Sequence, residues 1–200
     1  MKFIAITMRV DHCGVTYQEK RDAVDQKLLE LVGDCGFYPI LLPNNLKVAK
    51  QVLTIVKLSG LIFSGGNDLV SYGGSTPERD ELEVYLLEHA MKTQTPLLTI
   101  CRGTQLLMDY FGQPLVKIDG HVGSTHTIMY REESRVVNSY HNLGFYHVPQ
   151  EFAVEAKATD GVIKAIKHNT YPIVGIMWHP ERESEFSQYD VSLIKEVFNS

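Results

Sequence analysis

Three short stretches hold residue types that can carry out nucleophilic chemistry. In "TICRGTQLL" (99–107) an apolar run stops at Cys101, and an arginine, a glycine and a helical pattern follow at once. A strand, a nucleophile and a helix in immediate succession make a nucleophile elbow, a tight turn that exposes one side chain. The helix N-terminus beside the sulfur favours the thiolate, which is the reactive form. Gly103 leaves room for close backbone approach. A thiolate needs a proton partner. His179 in "WHPE" follows the strand-like "IVGIMW" (173–178), and Glu181, two residues on, is placed to orient its imidazole. Pro180 stiffens the turn between them. A tetrahedral intermediate also needs donors for its oxyanion. The N–H groups of Gly65 and Gly66 in "SGGND" (64–68) can supply them, together with the N–H of Arg102.

All three stretches leave the carboxyl ends of strand-like runs, where open parallel sheets gather their functional groups. The first half alternates: strand at 2–7, helix at 19–33 with Val24, Leu28, Leu31 and Val32 in register, strand at 38–43. Helix at 46–58, with Val48, Val52 and Val56 on one face, and an apolar run at 60–66 follow. Next come helix at 78–92, strand at 95–101 and helix at 102–111. Near-continuous apolar strands alternating with helices predict an α/β fold, a central mostly parallel sheet between two helical layers. In the second half, "TDG" and "NTYP" separate three strand-like runs between 151 and 178. The first of these turns predicts an antiparallel hairpin, and a final helix is expected near 188–198. No linker or internal repeat divides the chain, so residues 1–200 read as one domain.

The bulk properties exclude several classes. The chain has 200 residues, 44% hydrophobic and 22% charged, with a net charge of −5. That balance gives no basic surface for nucleic acid. No apolar run reaches the ~18 residues of a membrane span, and the N-terminus lacks a leader pattern. A cytoplasmic location is expected. Three widely spaced cysteines (13, 35 and 101) suit free thiols rather than a disulfide framework or a zinc site.

Taken in this order, "SGGND", "ERDELE", "ICRGTQLL", "VNSYHNLG" and "GIMWHPE" resemble the motifs of class I glutamine amidotransferases. Within that superfamily they are most similar to the stand-alone gamma-glutamyl hydrolases of the peptidase C26 group. The resemblance covers most of the chain. It implies Cys101 as nucleophile, His179 as general base and then acid, and Glu181 as its orienter. It implies Gly66 and Arg102 as oxyanion donors and Gln105 as a holder of the glutamyl moiety. The segment Asn138, Ser139, Tyr140 and His141 matches the one whose backbone grips the amino-acid end. It implies a three-layer, flavodoxin-like fold and no cofactor. Thr99 stands where many amidotransferase elbows have glycine.

What remains open is the leaving group. The segment 8–22 brings Arg9, His12, Tyr17, Lys20 and Arg21 together in a chain with no synthetase domain, and those cations suit a phosphorylated leaving group. Asn67 is grouped with them. That segment and the chain length are similar to the branch of the group that acts on a glutamine-linked cytidine nucleotide, gamma-glutamyl-CDP-amidate, in capsule phosphoramidate synthesis. A glutaminase subunit feeding ammonia to a synthetase, a hydrolase of gamma-glutamyl polyamines or gamma-glutamyl-aminobutyrate, and a non-catalytic binding protein are the alternatives. The expected partner is a small gamma-glutamyl molecule, with no nucleic acid and no membrane, and the chain a monomer or homodimer. Histidines 121, 126, 141 and 147 share one region but lack a ligand spacing such as HxxxH, and no metal is expected.

Overall fold

A computed structural model describes residues 1–199. In chain order, β1 (Phe3–Thr7) leads into a ribbon of β2 (Arg9–Cys13) and β3 (Glu19–Ala23). Then come α1 (Gln26–Asp34), β4 (Tyr38–Leu42), α2 (Leu46–Ile55), β5 (Leu58–Phe63), α3 (Pro77–Thr93), β6 (Leu97–Ile100) and α4 (Arg102–Tyr110). The second half holds β7 (Val116–Lys117), β8 (Val122–Tyr130), β9 (Glu133–Tyr140), β10 (Leu143–Gly144), β11 (Phe152–Ala158), β12 (Ile163–His168), β13 (Ile173–Ile176) and α5 (Gln188–Asn199).

One nine-stranded sheet runs β4-β1-β5-β6-β13-β12-β11-β8-β9. The first five strands are parallel to one another and the remaining pairs are antiparallel. Successive residues of a strand face opposite sides, and β1 divides accordingly. Ile4 and Ile6 join α1 and α5 in one core, while Ala5 joins α2, α3 and α4 in the other. These two helical layers are the ones that the alternating pattern predicts. β13 is inserted beside β6 in parallel, Ile176 opposite Ile100. That insertion brings residues 177–181 next to residue 101, although nearly eighty residues separate them.

Three elements differ from the sequence expectation. Residues 19–23 form β3 rather than the first turn of a helix, pairing with β2 from Arg9 opposite Ala23 to Cys13 opposite Glu19. The helix starts after Asp25, whose carboxylate accepts from Lys27 N at 3.0 Å, an N-cap that the periodicity alone does not reveal. In α2, Ala49 is buried but Val48 is 39% exposed, because that helix only flanks the sheet edge. The antiparallel pair β8–β9, residues 122–140, has no counterpart in the sequence reading. Its buried positions, Ile128, Tyr130 and Val137, alternate with exposed Met129 and Val136.

Candidate active site

Cys101 sits between β6 and α4 with φ 50° and ψ −102°, a conformation that side chains rarely adopt. Its neighbours hold it there. Cys101 N donates to Ile176 O at 2.8 Å, and Gln105 N donates to Cys101 O at 3.0 Å. Thr99 is accommodated in the elbow by hydrogen bonding to Thr104, whose hydroxyl also donates to Ile176 O at 2.8 Å. A Cβ at residue 103 would lie 2.7 Å from Phe63, so only glycine lets α4 approach β5 this closely. Cys13, Cys35 and Cys101 are free thiols. Burial pushes Cys35 up to about 11, which keeps it protonated at neutral pH.

His179 is buried beside the elbow, and its Nδ1 lies 2.6 Å from Glu181 Oε1. That contact leaves Nε2 for the thiol. Burial alone would lower the imidazole, but hydrogen bonding and charge from Cys101, then from Glu181, outweigh it and raise His179 to about 9. A value that high favours the protonated ring at neutral pH. The backbone is pinned from β9: Asn138 accepts from His179 N at 2.8 Å and donates to His179 O at 2.7 Å and to Glu183 at 2.6 Å. Asn138 therefore positions the imidazole with its side chain, in addition to lying in the segment expected to grip substrate.

Gly65 and Gly66 face this pair. A Cβ on Gly65 would meet the His179 ring at 2.5 Å, and Gly66 has φ +85°. The carbonyls of the same loop are held from behind by a group that sequence reasoning left without a role. Arg79 in "ERDELE" is fully buried; it donates to Ser64 O at 2.6 Å, Gly65 O at 3.2 Å and Gly66 O at 2.5 Å. Ser64 N is taken by Thr7 Oγ1 at 3.2 Å, whereas among the described residues no hydrogen bond occupies the N–H groups of Gly65 and Gly66. Glu83 binds Arg79 Nε at 3.0 Å and also the Arg102 guanidinium, which reaches Asp80 as well. One carboxylate thus ties the glycine loop to the first residue of α4, the two expected sources of oxyanion donors. The i,i+4 spacing of Arg79 and Glu83 is visible in the sequence, but such pairs are usually exposed.

Behind Cys101, Gln105 Nε2 and the His141 ring both bond Leu143 O, at 3.0 and 2.9 Å. Lys164, fully buried, contacts His141 Nε2 and Ser139 Oγ, each at 2.8 Å. Burial, and then the Lys164 charge, push His141 down to about 3, so it is neutral. His121 bridges Ser139 to Asp160 and stacks on His126 with 3.8 Å between ring centres and 7° between planes. His121, His126 and Asp160 lie close enough together to be considered for a cation. The nitrogens involved already have partners, His121 Nε2 at 2.7 Å from Asp160 and His126 Nε2 at 3.1 Å from Ser124 Oγ and 3.2 Å from Gly120 O.

Of the segment expected near a leaving group, Arg9 lies at a cleft beside His179 and Glu181, its guanidinium paired with Asp11 at 2.6 Å. It lines this cleft of about 220 Å³ with Gly65, Gly66, His179, Glu181 and Arg182. Arg182 packs over the Tyr140 ring, which meets His179 edge-on. The remaining members lie away from that lining. Arg21 pairs with Glu19 at 2.7 Å, Lys20 with Glu78 at 2.7 Å, and His12 and Tyr17 are exposed on the ribbon. Asn67 is occupied, its amide bonding both Val10 N and Val10 O, which fastens β2 to the glycine loop. A larger cavity of about 450 Å³ lies at the far end of β13, lined by His168, Tyr171 and Glu196 among others, and contains no cysteine. Among the described residues no helix is long and apolar enough to cross a membrane.

Comparison with known proteins adds to this geometry. The family model described as "Glutamine amidotransferase class-I" matches residues 17–198. The chain is 33% identical to the gamma-glutamyl-CDP-amidate hydrolase of Campylobacter jejuni, over 98% of each chain. It is 27% identical to an Escherichia coli gamma-glutamyl-gamma-aminobutyrate hydrolase, over 86% of this chain and 82% of that one. The fold matches that of a Thermoplasma acidophilum protein assigned as part of a GMP synthase, with a TM-score of 0.73 at 20% identity, over 100% of this chain and 93% of the other.

Proposed function

The chain belongs to the class I glutamine amidotransferase family, and on that premise we propose that residues 1–200 form one cysteine-dependent hydrolase domain that cleaves gamma-glutamyl amides. The observation that carries the reading is the strained Cys101 elbow beside the buried His179–Glu181 pair. The Cys101 thiolate attacks the gamma-carbonyl carbon, and the carbonyl electron pair moves to oxygen, facing the N–H groups of Gly66 and Arg102. Collapse of this intermediate breaks the C–N bond. The His179 imidazolium gives its proton to the departing nitrogen. Water then attacks the thioester, neutral His179 takes its proton, and the thiolate leaves. The sum is amide plus water giving glutamate plus amine.

The substrate proposed is gamma-glutamyl-CDP-amidate, releasing L-glutamate and cytidine diphosphoramidate. Two observations support it: the Campylobacter relative named for that activity, which aligns over nearly the whole of both chains, and Arg9 and Arg182 at the cleft beside the triad. Guanidinium groups match phosphate oxygens in geometry and charge. The test is glutamate release from gamma-glutamyl-CDP-amidate by wild type and Cys101→Ala, with mass spectrometry for the glutamyl thioester. Wild type should turn over and form the adduct, while a folded Cys101→Ala does neither. Hydrolysis by Cys101→Ala would overturn the mechanism. Release from gamma-glutamyl-aminobutyrate but not from the nucleotide would overturn the substrate alone.

A further inference from the structure

Lys164 is the second residue of β12, a position that a strand reading treats as ordinary, yet its side chain is fully buried. Met177 N donates to Lys164 O at 2.8 Å on one side of the intervening chain, and Cys101 N donates to Ile176 O on the other. β13 therefore separates Lys164 from the elbow, and the two backbones stand roughly 10 Å apart at the sheet end that holds His179.

The ammonium is fixed rather than free. It donates to Ser139 Oγ and to His141 Nε2. His141 can accept there because its Nδ1–H donates to Leu143 O. That carbonyl also takes the Gln105 amide, and Gln105 N bonds Cys101 O. Hydrogen bonds thus run without a break from Lys164 to the helix that carries the nucleophile.

The charges around Lys164 are unevenly matched. His141 is held neutral, as described. His121, beyond Ser139, is lowered by burial and turns its other nitrogen to Asp160 at 2.7 Å. His179, across β13, is raised to about 9 and adds no anion. Among the described residues no carboxylate pairs with the ammonium, and burial lowers Lys164 to about 8. The negative groups that resist this fall are Cys101 and then Asp160. A cation enclosed this way is costly unless an anion answers it.

We propose that Lys164 is a second cation for the nucleophile: its buried ammonium, held by Ser139 and His141, stabilises the Cys101 thiolate across β13 and adds to His179. The inference rests on the reading of Cys101 as nucleophile. Lys164 has no exposed surface with which to touch a substrate, so it acts through its field and is a positioning residue. It adds a source of thiolate character beyond the triad and the helix N-terminus.

The test reads thiol chemistry rather than turnover. Alkylation of Cys101 by iodoacetamide is followed by peptide mass across pH in wild type and Lys164→Met, with near-UV circular dichroism confirming the fold. The pH midpoint of alkylation should rise by about one pH unit in the variant. The reciprocal experiment leaves the lysine in place. The Lys164 Cε signal is titrated by NMR in wild type and Cys101→Ala, and its midpoint should fall when the sulfur is removed. This second measurement decides the matter if Lys164→Met does not fold. An unchanged alkylation midpoint in folded Lys164→Met, or an unchanged Lys164 midpoint in Cys101→Ala, overturns the inference. Neither readout needs a gamma-glutamyl substrate, so failure of the activity proposal shows separately, as hydrolysis by Cys101→Ala.

Discussion

Arg79→Lys separates the shape of the glycine loop from its charge. Lysine keeps a cation near Glu83 but loses the planar fork that reaches Ser64 O, Gly65 O and Gly66 O together. A single ammonium on a shorter reach leaves about two of these carbonyls without a donor. Each unsatisfied buried carbonyl costs about 1–3 kcal/mol, so the variant should lose about 2–6 kcal/mol of stability. For a chain of this size that lowers Tm by about 4–24 °C. The catalytic effect has a different signature. Freed carbonyls let the peptide planes at 65 and 66 rotate, and their N–H groups leave the position of the oxyanion. Because the oxyanion exists only in the transition state and the intermediate, kcat should fall by about 100-fold with KM changed by no more than a few-fold. Thermal unfolding and steady-state kinetics below the variant's melting range measure the two separately. A lower Tm with unchanged kcat would refute the clamp as a catalytic device. A rise in KM at constant kcat would assign Arg79 to substrate binding instead.

Glu181→Gln removes one of the charges that hold His179 near 9, so the imidazolium is lost at lower pH and the alkaline limb of the rate profile should move toward acid. The raised His179 contributes stability that is whole below about pH 6.5 and is lost as pH rises through about 9; urea titrations of wild type and His179→Gln across that range should show the difference shrinking. Asn138→Ala strips partners from both His179 N and His179 O, and should lower kcat by about 10- to 100-fold while alkylation of Cys101 persists. Arg9→Ala should cut kcat/KM for gamma-glutamyl-CDP-amidate by about ten- to a hundredfold and spare gamma-glutamyl-aminobutyrate. Arg21→Ala, whose guanidinium is paired with Glu19 outside the cleft, should change neither, and equal losses in both variants would dismiss the phosphate reading.

What the sequence determined by itself is local in origin. Apolar runs ending in a cysteine, a glycine pair and a Trp-His-Pro-Glu run identify strand ends, because burial on both faces demands near-continuous apolar residues. Helix periodicity identifies two covering layers, and those layers are present, α1 and α5 on one face and α2, α3 and α4 on the other. Where periodicity competed with charge, at 19–23, pairing with β2 prevailed over helix, because the ladder from Cys13–Glu19 to Arg9–Ala23 satisfies the backbone of a segment with little apolar surface to bury as a helix. Tertiary structure alone decided which of the suggested residues stand together. The parallel insertion of β13 beside β6 joined His179 to Cys101. Folding of β2–β3 placed Arg9 and its partner Asp11 at the cleft, while Arg21 and Lys20 pair with Glu19 and Glu78 outside it. It also decided burial for charged residues. Nothing in the sequence marks Arg79, Glu83 or Lys164 as buried, because a charged side chain ordinarily has water as its partner. Only the closed fold withdraws that water and leaves each of them dependent on specific neighbours: glycine-loop carbonyls for Arg79, two guanidinium groups for Glu83, and Ser139 and His141 for Lys164.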